Sequence, residues 1–114
     1  MIDYRVQTVA GGAWLRGVAE GPDLRATDMW GRDPRTGEVI RVVFDGSGVY
    51  AVVRSKGWAE DTLVLEGDVQ REGGPLRVRE TIKRIGPDEF EAVWEAFLDG
   101  AWTAYSIERL TRRV

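Results

Sequence analysis

The sequence predicts an all-β fold with antiparallel strands throughout, and three observations support that prediction. Short segments in which apolar and polar residues alternate recur about every ten residues along the chain. No long window shows the 3.6-residue apolar stripe of a helix. Nearly every gap between the segments contains glycine, as at residues 35–37, 45–48, 72–75, 86–88 and 99–100. The sequence therefore predicts a meander of strands joined by tight turns.

Five strands are predicted in the N-terminal half of the chain. Residues 4–9 form a short segment that suits a sheet edge. Residues 13–20 follow a Gly-Gly break, and residues 24–32 follow the Gly-Pro-Asp turn that ends at Asp23. Residues 39–44 are a β-branched run, and residues 49–55 follow it across an Asp-Gly-Ser-Gly turn.

Two further strands, residues 63–70 and 76–85, show clean alternation between their two faces. One face of the first carries Leu63, Leu65, Gly67 and Val69. One face of the second carries Leu76, Val78, Glu80 and Ile82, with basic residues opposite. Since Glu80 lies between apolar neighbours on that face, we expect its side chain to point into the core.

The last two strands, residues 89–98 and 101–110, flank Asp99-Gly100, which is the strongest short hairpin signal. A two-residue loop would set Leu98 opposite Ala101 and Trp94 opposite Tyr105. The inner face would then carry Phe90, Ala92, Trp94, Ala96, Thr103, Tyr105 and Ile107. The outer face would carry Glu91, Val93, Glu95 and Glu108 together with the aromatic pair Phe97 and Trp102.

Nine consecutive strands favour closure into an up-and-down barrel, because closure removes the exposed edges of a sheet. The 114-residue chain is predicted to be one domain, residues 1–114, and is long enough to bury a core. A barrel of about nine strands has an interior slightly larger than its own side chains fill. A small-molecule cavity is therefore expected.

Composition excludes several classes of function. The net charge of −3 and a pI near 5.0 argue against a nucleic-acid partner. The chain has no His and no Cys, which excludes His-activated and Cys nucleophiles and fits a cytoplasmic protein. The N-terminus lacks the apolar core of a signal peptide, and no run reaches membrane-spanning length. The acidic pairs fall in predicted turns without further ligands, so neither a metal nor a cofactor is predicted.

Several motifs resemble a lipocalin-like, or calycin, family of bacterial β-barrels. They are residues 30–37, 43–48, 56–58, 63–67, 79–81, 90–95, 99–102 and 108–109. The resemblance implies a calycin-type barrel related to lipocalins, fatty-acid-binding proteins and nitrobindins. The chain lacks the haem-binding His of nitrobindins, so haem chemistry does not carry over. The family's first strand is missing or replaced by residues 4–9, which questions closure of the barrel.

The predicted function is the binding of a small, mostly apolar molecule inside the barrel. The candidate ligand-binding residues are Trp94, Tyr105, Phe90, Ile107 and Glu80, with an inward Arg or a Tyr hydroxyl fixing the ligand's polar end. A small barrel enzyme, an isomerase or cyclase using Glu80 or a Tyr, is an alternative. Against a catalytic role, Glu80 could simply pair with Arg84 or Arg109.

A third reading is a structural domain with a filled interior that forms a homodimer. An unpaired barrel edge and the outward pair Phe97 and Trp102 would be the surfaces through which two copies associate. In the rival reading, residues 4–9 close the barrel and the two rings form a cross-strand pair.

Overall fold

The computed structural model describes residues 2–22 and 24–113, so Asp23 of the predicted Gly-Pro-Asp turn lies outside the described residues. Its strands are β1 (Ile2–Val9), β2 (Trp14–Gly21), β3 (Leu24–Arg32), β4 (Val39–Asp45), β5 (Tyr50–Ser55), β6 (Trp58–Ala59), β7 (Thr62–Gln70), β8 (Leu76–Gly86), β9 (Glu89–Leu98) and β10 (Ala101–Arg113). A 3-10 turn, Ala10–Gly12, joins β1 to β2. The nine predicted strands are confirmed, and the two-residue β6 is an addition.

The sheet closes into a barrel. Within the described residues nine strands form the ring, in which each strand pairs with the next along the chain and β5 pairs directly with β7. The tenth, β6, pairs only with the start of β7. The ring closes where β1 pairs with β10, from Ile2 opposite Leu110 to Arg5 opposite Arg113. The predicted segment 4–9 is therefore a strand of the barrel and completes its closure.

The closing pair of strands is parallel, so the prediction of antiparallel pairing throughout is wrong at this seam. The reason is the number of strands in the ring. In an up-and-down meander successive strands alternate in direction, and in a ring of nine the first and last strands run the same way. The remaining pairs of the ring are antiparallel.

The tightest packing lies on the β5–β7–β8–β9 side of the barrel. Val53, Leu65 and Val78 have no exposed surface, and Leu63 is 1% exposed. They pack with Ile82, Ala92, Trp94 and Ala96 in one apolar cluster. Full burial of each large aliphatic side chain stabilises the fold by about 1.5–3 kcal/mol. This packed wall leaves the remaining interior to polar and larger side chains from β1, β3, β4 and β10.

The β9–β10 hairpin follows the predicted register only as far as Thr103, which lies opposite Ala96. A β-bulge between Ala104 and Ser106 then inserts one extra residue, Tyr105, into β10. The insertion moves every later side chain of β10 to the other face. Trp94 therefore faces Ser106 rather than Tyr105.

Two predicted positions beyond the bulge are wrong for this reason. Ile107 lies opposite Val93, is 69% exposed and points away from the interior. Glu108, predicted on the outer face, lies opposite Ala92 on the inner face.

The outer aromatic pair is confirmed. Trp102 lies opposite Phe97, and their ring centroids are 5.3 Å apart in an edge-to-face arrangement. The Arg79 guanidinium lies 4.3 Å from the Trp102 ring centroid, and Arg79 Nε lies 3.0 Å from Glu95 Oε1. The pair is thus part of a cross-strand cluster on the outside of the barrel.

Among residues 2–22 and 24–113, no helix is long and apolar enough to cross a membrane.

Candidate functional site

A buried ion pair network lies inside the barrel, and its central residue is Arg41. Arg41 alternates with Val39 and Val43 on the inner face of β4. Its Nε donates to Asp28 Oδ2 at 2.9 Å, and its Nη2 lies 2.8 Å from the same oxygen. Its Nη1 donates to Glu80 Oε1. Asp28, Arg41 and Glu80 are only 2%, 9% and 1% exposed, so a single guanidinium pairs with two buried carboxyl groups.

The closing strand β1 contributes Tyr4 to this network. The Tyr4 hydroxyl oxygen lies 2.7 Å from Asp28 Oδ1 and 2.8 Å from Oδ2, and it donates to that carboxylate. The indole N–H of Trp30 donates to the Tyr4 oxygen at 2.7 Å and to Asp28 Oδ2 at 3.2 Å. Asp28 therefore accepts from Arg41, Tyr4 and Trp30, which offsets the cost of burying its charge.

Gly17 on β2 makes room for the contact between Tyr4 and Asp28. A Cβ atom at this position would overlap both the Tyr4 hydroxyl and Asp28 Oδ1. Any other residue at position 17 would therefore displace the hydrogen-bonded pair.

Two indole rings lie close to the central cation. The Arg41 guanidinium carbon lies 5.0 Å from the Trp30 ring centroid and 5.8 Å from that of Trp94. Guanidinium groups within about 6 Å of an aromatic centroid are attracted by the ring quadrupole, and the attraction is larger when water is excluded. The rings therefore hold the guanidinium in place between its two carboxyl partners.

The network separates two interior cavities formed by the described residues. The first cavity, of about 390 Å³, lies at the end of the barrel where β4 turns into β5 and β7 turns into β8. The second cavity, of about 310 Å³, lies at the opposite end and is lined by Tyr4, Trp30, Trp58 and Phe90. Both cavities are lined by Arg41, Glu80, Ala92 and Leu110. The Arg41–Glu80 pair is consequently the floor of each cavity.

The first cavity combines apolar walls with a few polar groups. Its apolar and aromatic lining includes Ala19, Val43, Phe44, Tyr50, Leu76 and Trp94. Its polar lining includes Tyr105, Ser106 and Glu108 on β10 and Asp45 at the turn between β4 and β5. A concave apolar site with a small number of placed polar groups is typical of small-molecule sites.

A larger depression, of about 510 Å³, lies on the outer surface of β5 and β7. Its lining is dominated by charged and exposed side chains such as Arg54, Lys56, Glu66 and Arg77. We favour the interior cavities as the candidate site, because their linings are mainly apolar and reach the buried Arg41–Glu80 pair, whereas the lining of the outer depression is mainly charged.

Burial shifts the ionisation of the inward groups. Burial raises the pKa of Glu80 to about 7, against the opposing effect of the Arg41 guanidinium, and the nearby carboxyl groups of Glu108 and Asp28 add to the rise. Burial also raises the pKa of Glu108, against the effects of Arg41 and the Trp94 side chain. The pKa of Tyr105 is raised by burial and by the charges of both glutamates. Glu80, Glu108 and Tyr105 therefore retain their protons to a higher pH than in water.

Arg41 itself keeps its charge. Burial would lower the pKa of its guanidinium, but the charges of Glu80 and Asp28 outweigh that effect and raise the pKa. The pKa of Tyr4 is raised by burial and by the adjacent Asp28 carboxylate, so its hydroxyl stays protonated and continues to donate.

The predicted site residues are distributed between the two cavities and the outside. Trp94 and Tyr105 line the first cavity, Phe90 lines the second, and Glu80 lines both. Ile107 lines neither cavity, since the bulge turns it outward. The predicted inward orientation of Glu80 is confirmed, but its partner is Arg41 rather than Arg84 or Arg109. Arg84 instead donates to the carbonyl oxygens of Gly86 and Pro87.

Sequence reasoning missed Tyr4, Asp28, Trp30, Arg41 and Glu108 as parts of the site. Arg41 could have been recognised from the sequence, because it is a charged residue at an inward-facing position of the β-branched strand Val39–Asp45. Asp28 stands likewise in the middle of β3 rather than in a turn. Glu108 could not have been recognised in this way, because the bulge changes the face of β10 on which its side chain lies.

Within the part of the chain that the structure describes, no group of three or more acidic side chains is arranged to hold a metal ion. A scan of protein-family models finds no family that matches the chain, and a search of curated proteins finds no match. The closed barrel is compatible with the calycin resemblance, which these comparisons leave as an interpretation of the motifs.

Proposed function

We propose that this protein binds a small, mostly apolar molecule in the first cavity of the barrel. One observation carries the proposal: a cavity of about 390 Å³ with largely apolar walls ends on a buried polar floor whose Arg41 donates to both Asp28 and Glu80. A filled structural barrel has no need of a floor of this kind, because burying Arg41, Asp28 and Glu80 costs free energy that aliphatic packing would avoid.

Binding would follow from the two kinds of lining. The ligand's apolar body lies against Trp94 and Val43, which removes apolar surface from water. Its polar end meets the floor at Glu80 and the Tyr105 hydroxyl near the rim. Because the floor is held by Asp28 and by the two indole rings, the polar groups are already in position before the ligand arrives.

The calycin resemblance supports the same proposal. Barrels of that type carry small apolar molecules in their interior, and the closed nine-stranded ring gives this chain the required enclosure. A cytoplasmic location stays a prediction.

The proposal is tested with N-phenyl-1-naphthylamine, a neutral apolar dye that fluoresces when it leaves water. We expect saturable binding to the native protein. Ala19→Trp, in the wall of the first cavity, should lower the affinity at least about tenfold, because the new ring occupies the ligand's space.

Val64→Trp is the matched control. Val64 is 44% exposed on the outside of β7, so the same added ring should leave dye binding unchanged. The proposal is wrong if the native protein fails to bind the dye, or if both variants bind it as tightly as the native protein does.

A specific observation favours an enzyme as the second candidate. Glu80 lines the cavity and burial raises its pKa to about 7, which suits a carboxyl that exchanges protons near neutral pH. An isomerase or cyclase would use it to remove a proton next to a carbonyl group. Incubation with 2-tetralone in D₂O should then speed deuterium uptake at the α-carbons, and Glu80→Gln should abolish the increase. No increase with the native protein eliminates this chemistry for such ketones.

A further inference from the structure

We infer that the ligand of the first cavity carries a positively charged amine rather than a carboxylate at its polar end. This inference rests on the proposed function, since it concerns what the same cavity selects. It follows from how the charged groups of the cavity are already paired.

The charged lining of the first cavity is strongly unbalanced. Arg41 is the cation among the described lining residues, and Asp45, Glu80 and Glu108 are the carboxyl groups. Asp28 lies directly behind Arg41 and adds a further carboxylate to the floor. An anion entering the cavity would therefore approach more acidic groups than basic ones.

Arg41 is not free to receive an anion. Its Nε and Nη2 are directed at Asp28, and its Nη1 donates to Glu80. A ligand carboxylate would have to displace Glu80 from this contact and leave a second carboxyl group buried beside it. Two buried carboxyl groups in contact cannot both ionise without a large cost.

Hydrogen-bond acceptors, in contrast, remain available at the floor. Glu80 is 1% exposed and accepts from Arg41 at Oε1, and a carboxylate offers about four acceptor sites. Glu80 lines the cavity together with Glu108, which the bulge in β10 turns inward. An ammonium group has three N–H donors and no acceptor, and it matches such a pair of carboxyl groups.

The aromatic lining favours the same head group. Trp94, Tyr105, Tyr50 and Phe44 all line the first cavity, and the Trp94 ring already accommodates a guanidinium at 5.8 Å. Aromatic faces attract organic cations, and they do so more strongly when water is excluded. An ammonium group at the floor would also favour the ionised forms of Glu80 and Glu108, so its binding releases protons.

The inference is tested with octylamine, 1-octanol and octanoate, which share one apolar chain and differ at the head group. Affinities are measured by competition with N-phenyl-1-naphthylamine at pH 7.5. We expect octylamine to bind at least about tenfold more tightly than octanol, and octanoate to bind most weakly. Glu108→Gln should lower the octylamine affinity while leaving that of octanol unchanged, and Glu66→Gln, on the outer face, should change neither.

The outcomes separate this inference from the proposed function. If octanol or octanoate binds as tightly as octylamine, the cavity binds apolar molecules but the preference for an amine is wrong. If none of the three compounds displaces the dye and the dye itself does not bind, the proposed function fails. The comparison among the three probes on the native protein is decisive even if Glu108→Gln does not fold.

Discussion

Arg41 is the residue on which the interior of this barrel depends. It forms ion pairs with both Asp28 and Glu80 and lies close to the rings of Trp30 and Trp94. Its removal would leave two buried carboxyl groups without their cation. A buried ion pair contributes little net stability when intact, but removing one partner is costly, because the remaining charge stays desolvated.

We predict that Arg41→Met lowers the free energy of unfolding by about 3–5 kcal/mol. The matched control is Arg54→Met. The Arg54 side chain is 45% exposed and lies 2.9 Å from Asp33 Oδ2, so this variant should lose less than about 1 kcal/mol. Urea denaturation at one pH compares the two variants. Equal losses would show that Arg41 is not buried as described.

The pKa of Glu80 predicts how stability depends on pH. In the folded protein burial raises the pKa of Glu80 from 4.5 to about 7, so the folded state holds its proton where the unfolded chain has released it. This contribution to stability is complete below about pH 4.5 and is lost as pH rises through about 7. Over that window it amounts to roughly 3 kcal/mol.

The check is urea denaturation of the native protein and of Glu80→Gln at several pH values. Glutamine cannot ionise but still accepts from Arg41, so the difference between the two proteins reports the titration of Glu80 together with its coupling to Glu108, whose charge raises the pKa of Glu80. Burial raises the pKa of Glu108 as well, so both groups change stability in the same direction. A difference that does not change between pH 4.5 and 8 would contradict the raised pKa.

At the scale of the elements, the β-bulge in β10 decides which side chains enter the interior. It makes Tyr105 the inserted residue, turns Ile107 out and brings Glu108 in. Without the bulge, β10 would present Ile107 in place of Glu108 on its inner face and would contribute no acidic group to the first cavity. A bulge that re-aims side chains beside a site is a common feature of barrels.

We predict that Ile107→Lys changes the free energy of unfolding by less than about 0.5 kcal/mol, because Ile107 is 69% exposed. Leu110→Lys is the matched comparison on the same strand. Leu110 packs against the apolar cluster and lines both cavities. A charge there should therefore lower the free energy of unfolding by roughly several kcal/mol. Thermal unfolding of both variants tests the register, and the reverse order of stability would place the bulge elsewhere.

The strands themselves could be predicted from sequence, because turn chemistry and period-two alternation are local properties. In segments 63–70 and 76–85, the residues predicted to face inward do face inward. The turn at Asp99-Gly100 gives the predicted register as far as Thr103. The bulge could not be predicted, since nothing in the residues around Tyr105 differs from a regular strand. The parallel β1–β10 seam joins the two ends of the chain and has no local signal.

The site was predicted only in part for the same reason. Glu80 and Trp94 were identified because the alternation of apolar and polar residues in their strands places both on the inner face. The partners of Glu80 come from strands distant in sequence, as the separation of 39 residues between Arg41 and Glu80 shows. Which of several arginines meets an inward carboxyl group depends on which strands face each other across the closed barrel, and local sequence patterns do not encode that.

At the scale of the whole molecule, barrel closure changes the basis of the homodimer hypothesis. The first strand is present and paired, so a missing strand no longer argues for association. The exposed apolar patch formed by Phe97, Leu98 and Trp102 still argues for association, since Phe97 and Leu98 are 45% and 47% exposed. Exposed apolar patches of this kind mark association sites.

The homodimer stays a prediction. Sedimentation velocity at increasing concentration should show a dimer, and the double variant Phe97→Ser, Trp102→Thr should shift it toward monomer. Both side chains are on the outside, so the variant should keep the fold. A native protein that sediments as a monomer at the highest concentration would refute the dimer.

The central claim, that a ligand occupies the first cavity above the Arg41–Glu80 pair, is tested most directly by NMR of the tryptophan indole N–H groups. The chain has five tryptophans, and Trp94 lines that cavity, while Trp102 contacts Arg79 on the outside and Trp14 packs over Gly31. During titration with octylamine, ¹H–¹⁵N spectra should show the Trp94 resonance shifting and those of Trp14 and Trp102 unchanged. A shift at Trp102 without one at Trp94 would place the ligand on the outer aromatic patch and contradict the account.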